Sequence, residues 1–346
     1  MKKKVFLLLV TGVLGTLVYA YNPPVNGELL YQLSTPETLA GAASVAGGGL
    51  WKEHTAQISI NPALLATEQR IVGNFAYTAV LNTDGTNAYG QSLYFGAVLP
   101  SKYGVFTANT QWAVLPLASV PLENSISIRG AYSKDITEKI YVGASLYGGF
   151  GTDWCVGTDI GCMYNFDTIS TLPFLSDVRW ACAITGIGKA YNPDTIGYVH
   201  AEKSTTGIPS LTPRTGIAAT FLNTKKIKGG LSLDLSFPLF QNILFDCGLQ
   251  FAVADFLYVN SGWECNLRQT LQDVATYMPF VSVGVKIGFA SSENSYFSKK
   301  GWSESEIVPS IAYRQLWNKT NVYSAGAAFY LGLPDTEAPV IVLWEE

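Results

Sequence analysis

Charge is scarce in this sequence. Asp, Glu, Lys and Arg make up 14% of the 346 residues, against roughly 25% in ordinary soluble domains. Acidic and basic residues nearly balance, 26 against 22, for a net charge of −4, so no basic surface points to a nucleic-acid partner. Histidine occurs twice, as His54 and His200, and neither has the neighbours that a Ser/His/Asp arrangement or a metal site needs. The glycine pairs at 148–149 and 229–230 lie in strand-like segments with no helix behind them, which argues against phosphate cradles. An enzyme, a cofactor and a metal are therefore not expected. Long apolar runs are missing too. Beyond the leader, each is broken within ten residues by Gly, Ser, Asp or Lys, and a spanning helix needs about 20.

The five cysteines are odd in number and lack Cys-x-x-Cys spacing, which excludes the usual metal patterns. Cys162, Cys182 and Cys247 fall in apolar alternation slots and read as small lipid-facing or packed residues. Cys155 and Cys265 flank expected loops, and a bridge between them is one option.

What is present points to export and to a membrane. Lys2, Lys3 and Lys4 precede the apolar stretch Val5 to Val18, and Val18-Tyr19-Ala20 offers a cleavage site, the pattern of a secretory signal peptide over 1–20. Cleavage after Ala20 would expose Tyr21, and no cysteine follows to carry a lipid anchor. Aromatic residues reach 13%, with 19 Tyr and 8 Trp. A charge-poor, aromatic-rich exported chain without apolar helices fits an outer-membrane barrel, whose outer band is apolar and girdled by aromatics.

From residue 68 the chain alternates with period two. Ile227, Leu231, Leu233, Leu235 and Phe237 share one face, and Lys228, Ser232, Asp234 and Ser236 the other. Successive strand side chains point to opposite faces, so one side of the sheet is apolar and the other small or polar. The pattern predicts strands near 70–81, 91–99, 103–113, 124–134, 138–148, 155–166 and 177–186. Seven more are expected near 214–222, 226–237, 242–254, 257–264, 280–290, 307–316 and 320–332. Their number, about 14, and their length suit membrane strands of 9–11 residues better than soluble strands of about 5–6. The expected fold is thus an all-β transmembrane antiparallel barrel over 68–333, with a tail at 334–346. Residues 291–306 are long where strand parity calls for a short turn, implying a miscounted strand or an insertion.

Residues 21–67 do not alternate. Ser34-Thr35-Pro36-Glu37 reads as a capping box, with Ser34 as cap and Glu37 reaching back. The run Thr38 to Ala46 reads as a helix stopped by Gly47-Gly48-Gly49. Asn61 and Pro62 suit the cap and first turn of another short helix. Such a piece either fills the lumen as a hatch or hangs below it as a leader.

Gly41 to Ala46, followed by Ile58 to Ala66 with its Asn61-Pro62-Ala63, resembles the hatch of the FadL-like long-chain fatty-acid transport outer-membrane proteins. Leu231 to Phe237 and Leu257 to Trp263 resemble a spirochaetal branch of that family. The likeness covers the mature chain in layout but only the hatch in motif. It implies a 14-stranded barrel, a luminal hatch and passage of hydrophobic molecules. Leu64 stands where many relatives carry Gly, the external loops are shorter, and the tail runs past the last strand to Trp344-Glu345-Glu346.

Arg129, Arg179, Lys286 and Arg314 fall on the polar face, as do Asp159, Asp234 and Asp246. A cation in a partly dry lumen can hold a fatty-acid carboxylate, or else it pairs with luminal carboxylates and the hatch. The expected function is passive uptake of long-chain fatty acids or similar hydrophobic molecules across the outer membrane. Its partners would be that small molecule, outer-membrane lipid and the barrel assembly machinery. The alternative is a structural or secretion-associated barrel that binds protein partners, with the tail beyond Leu333 as a docking strand. A surface adhesin has only the loop at 187–213 behind it. An apolar cavity beside the hatch favours uptake, and a solidly packed lumen favours partner binding.

Overall fold

The computed structural model describes residues 33–332 except 42–43, 51, 83–88, 118–119, 152, 168–173, 193–197, 200–201, 204–208, 272, 274, 291–303 and 317–319. The expected signal peptide, the C-terminal tail at 334–346 and His200 lie outside the described residues. The strands in chain order are β1 (Ile71–Asn82), β2 (Tyr89–Ser101), β3 (Gly104–Leu117), β4 (Val120–Thr137), β5 (Ile140–Phe150) and β6 (Trp154–Asp167). Then follow β7 (Ser176–Lys189), the short pair β8 (Tyr198–Val199) and β9 (Glu202–Lys203), β10 (Thr212–Asn223), β11 (Ile227–Ser236) and β12 (Leu244–Val253). The last are β13 (Leu257–Asn266), β14 (Phe280–Val285), β15 (Ile287–Ala290), β16 (Glu304–Leu316) and β17 (Thr320–Leu331).

Every neighbour in the main sheet is antiparallel, and the sheet closes on itself where β1 pairs with β17 from Ile71↔Leu331 to Asn82↔Thr320. The strands β14 and β15 both pair with β16 in one register and form a single strand interrupted at Lys286. There the backbone N–H of Lys286 donates to the Phe256 carbonyl at 2.7 Å, one step beyond Leu257↔Val285 on the β13 side. Counted so, the barrel has the 14 strands that the alternation predicts. The even number returns the chain to the rim where β1 began. That rim is the terminal rim, and the opposite one carries the β7–β10 connection. No miscounted strand explains the long stretch before β16, and residues 291–303 fall outside the described residues.

Period-two patterning decides which side faces where. Phe75, Phe95, Leu146 and Ile311 point outward with 41%, 47%, 72% and 63% of their surface exposed. A continuous wall of this kind far exceeds the apolar patch that a water-soluble surface tolerates, and lipid is its natural solvent. Inward positions hold Thr78, Ser92, Ser133, Ser145 and Ser324, all buried. Among the described residues no helix is long and apolar enough to cross a membrane. The closed ladder predicts heat-modifiable migration: detergent-extracted protein should run differently on gels before and after boiling. Identical mobility would contradict a closed barrel.

The structure closes the option of a Cys155–Cys265 bridge. Cys155 is buried on the luminal face of β6, whereas Cys265 sits at a half-buried, outward position of β13. Facing opposite sides of the wall, they cannot bridge, and both are free thiols.

Candidate functional site: the luminal hatch and its two cavities

The described residues of 33–70 fold back inside the barrel, and local sequence explains how. Asn61 caps the 3-10 turn Pro62–Leu65, its side-chain oxygen accepting from the Ala63 N–H at 3.0 Å, with Pro62 at the first position. The Asn61 amide donates to the Val45 carbonyl at 2.9 Å and to Cys162 of β6 at 3.3 Å. One side chain thus starts a turn, joins two hatch segments and ties both to the wall. Ala63, Leu64 and Leu65 are fully buried behind it.

The first helix differs from expectation. Thr35, not Ser34, is the cap, and the box is completed by Thr38, whose hydroxyl accepts from the Thr35 N–H at 3.0 Å. Glu37 is thereby free to reach the wall, accepting from Ser310 of β16 at 2.8 Å. The helix covers only Pro36–Leu39 and does not extend to Ala46. Gly41 and then Gly47 and Gly48 take positive φ, and the chain turns there instead of continuing a helix.

Bonds from many strands hold the hatch. Asp234 of β11 accepts from the Ser44 hydroxyl and the Val45 N–H, both at 2.8 Å. Ser133 of β4 donates to the Pro62 carbonyl at 2.5 Å, and Tyr330 of β17 to the Glu53 carbonyl at 2.9 Å. Thr55 donates its N–H to Asn74 of β1 at 3.0 Å and shares a 2.9 Å bond with Tyr94 of β2. The wall also lacks side chains where the hatch comes close. A Cβ at Gly143 would run into the Pro62 backbone, and one at Gly230 into Gly49 and Leu50.

The hatch leaves a cavity on each side. Toward the loop rim lies one of about 150 Å³, lined by Leu33 of the hatch, Leu115, the rings of Tyr94, Tyr147 and Tyr191, and Arg129. Toward the terminal rim lies one of about 460 Å³, ringed by charge that includes Lys52, Arg70, Lys286 and Glu306.

The four sequence-predicted cations do not meet in one place. Arg129 of β4 lies on the loop-side cavity, its guanidinium 4.4 Å from the Tyr147 ring centre and ion-paired with Asp159 of β6. Asp159 in turn accepts from Ser145 at 2.6 Å and from the Gly186 N–H at 2.8 Å. Arg179 of β7 is fully buried and donates to the Gly48 carbonyl at 2.7 Å, so it fastens the hatch. Lys286 borders the terminal-side cavity and pairs with Glu306 at 3.2 Å. Arg314 of β16 pairs with Glu264 of β13 at 3.0 Å, stacked 3.8 Å from the Phe280 ring centre. Asp246 stands opposite Asp234 in the β11–β12 ladder. Sequence reasoning passed over Arg214 and the three cavity tyrosines. Arg214 alternates inward with Thr212 and was visible by parity, but nothing local marks a tyrosine as luminal.

Three successive hatch residues titrate abnormally. Burial lowers Lys52 to about 8, burial with the nearby Glu68 raises Glu53 to about 7, and burial lowers His54 to about 4. The signs oppose. Acidification from pH 6.5 toward 4 costs stability through His54, which resists the charge the unfolded chain takes up. Acidification from pH 7 toward 4.5 gains stability through Glu53, protonated more readily when folded. The native protein should therefore show little pH dependence across this window. Glu53→Gln should unmask His54, with urea resistance falling by up to about 3 kcal/mol on acidification, at 1.36 kcal/mol per pKa unit. A variant as pH-insensitive as the parent would refute this balance.

No protein-family model matches the sequence, and no curated protein sequence matches it. Solved structures do. The TodX monoaromatic hydrocarbon channel, as its deltaS2 mutant, aligns with a TM-score of 0.51 at 11% identity, over 88% of this chain and 99% of that one. The Ralstonia pickettii toluene transporter TbuX gives the same TM-score, 0.51, at 11% identity over 88% of this chain and 99% of its own. A Pseudomonas aeruginosa FadL homologue aligns with a TM-score of 0.41 at 12% identity, over 86% of this chain and 97% of that one. At such low identity the likeness speaks for architecture alone: this chain shares the fold of a monoaromatic hydrocarbon channel and a toluene transporter.

Proposed function

We propose that the protein is a passive channel of the outer membrane that admits hydrophobic small molecules and catalyses no reaction. The observation that carries this reading is the loop-side cavity, a partly open space of about 150 Å³ between the hatch and the wall. A solidly packed lumen would have favoured partner binding instead. Ligand sites join apolar surface to placed polar groups, and this cavity sets three tyrosine rings and two leucines beside Arg129, Asp159, Arg214 and a rim of Ser, Thr, Asn and Gln side chains. In volume, about 150 Å³ is enough to hold benzene. The entrant is therefore a compact hydrophobic molecule or one end of a longer one. The two matched transporters, described as carrying monoaromatic hydrocarbon and toluene, support the same class.

Long-chain fatty acids are the finer reading. Arg129 offers a cation to a carboxylate, but Asp159 already holds it, and burying an unpaired carboxylate costs several kcal/mol. A full-length tail also exceeds the cavity and requires the hatch to shift. Cells expressing the protein should take up a radiolabelled monoaromatic compound and a long-chain fatty acid faster than vector controls, with sugars unaffected. Uptake of sugars alone by correctly folded protein would overturn the proposal, and uptake of the aromatic without the fatty acid would remove the finer reading.

A further inference from the structure

Two of the five cysteines stand face to face on the outer wall. Cys162 of β6 and Cys182 of β7 are directly opposite partners in the antiparallel ladder, and their Sγ atoms are 3.2 Å apart. Directly opposed antiparallel residues have Cα atoms about 4.5–5.5 Å apart, inside the range of about 4.4–6.8 Å that a disulfide spans. The sulfurs need move only about 1.2 Å to reach the bond length of about 2.05 Å, which small χ1 rotations supply. The pairing is held in place by its neighbours, since Ile160 lies opposite Ile184 and Tyr164 opposite Trp180 in the same ladder.

We infer that Cys162 and Cys182 form a structural disulfide across the β6–β7 pair. A barrel bound for the outer membrane crosses an oxidising compartment, where such bonds form and persist. The two thiols lose two protons and two electrons to a protein disulfide donor. The S–S bond forms here as the donor's bond opens to a dithiol. Exchange proceeds through a thiolate attacking the donor disulfide, and hydrocarbon opposes any charged group. The reaction therefore belongs to the stage before membrane insertion. Afterwards lipid covers the bond, because both side chains point away from the lumen between the inward Ala181, Ala183 and Met163. The inference requires export but not any particular cargo, so failure of the transport reading leaves it standing.

The test is cysteine mapping on the full chain from intact cells. Cells are quenched in acid, free thiols are alkylated in denaturant, and unreduced peptides are read by mass spectrometry. The expected result is one linked pair of peptides bearing Cys162 and Cys182, resolved by reductant, with Cys155, Cys247 and Cys265 alkylated. Boiled, unreduced protein should also run faster than reduced protein, and Cys162→Ser should abolish that shift while keeping the mobility change on boiling. Reductant applied to the folded barrel should leave the bond intact. Complete alkylation of both cysteines, or a link from either to a third cysteine, would overturn the inference.

Discussion

A barrel freed of its hatch is expected to conduct ions several-fold better than the intact protein. The lumen on either side of residues 33–70 is open enough to hold cavities of about 150 and 460 Å³, and the hatch is what separates them. Deleting residues 21–67 removes the Asn61, Val45 and Thr55 contacts together. Gly143→Val tests the same point without a deletion, because the added side chain enters the space of the Pro62 backbone. Overpacking of this kind costs about 1–3 kcal/mol when neighbours cannot yield, and here the neighbour that can move is the hatch. Single-channel recordings in planar bilayers are the measurement, with mobility change on boiling confirming that the barrel is closed. Unchanged conductance in both variants, each correctly folded, would mean that the segment does not block the lumen.

The second large effect concerns the loop-side cavity. Ser127 of β4 borders it, and Ser127→Trp should fill much of the space. Each methylene-sized group denied burial loses about 0.8 kcal/mol, and about 1.4 kcal/mol is a factor of ten. Uptake of a monoaromatic compound should accordingly fall by about tenfold or more, while ion conductance stays at the parental level. Equal loss after Val308→Trp, on the other side of the hatch, would show a general defect and not a site. Undiminished uptake by folded Ser127→Trp would move the ligand path away from this cavity.

The alternation of Leu231, Leu233 and Leu235 with Ser232 and Asp234 told the strand and its two faces at once, because side-chain direction in a strand is a local property. The same holds for Val281, Val283 and Val285 in β14. Asn61 and Pro62 likewise announced a turn, since a cap acts within three residues of itself. The cap of the first helix lies one position later than expected, at Thr35 and not Ser34, because Thr38 completes the box there and leaves Glu37 to accept from Ser310 of the wall. That partner lies 273 residues away in sequence.

Partnership in the lumen was illegible for the same reason. Parity marked Arg129, Arg179, Lys286 and Arg314 as inward, but four cations on one face carry no record of depth or of what stands opposite. Depth is set by register, and register depends on bulges such as those between Thr158 and Ile160 and between Asn165 and Asp167 in the β6–β7 pair. Those bulges bring Cys162 opposite Cys182, and β6 carries Asp159 into reach of Arg129 and the Gly186 N–H. Composition and period two therefore determined by themselves that this chain makes a lipid-facing barrel of about 14 strands with a polar interior. Only closure of the sheet decided that the N-terminal segment lies inside it, that Arg179 is spent on holding that segment, and that a cavity with three tyrosines remains. Periodicity is written in neighbouring residues, whereas the contents of a lumen come from strands that are distant in sequence and meet only when the barrel closes.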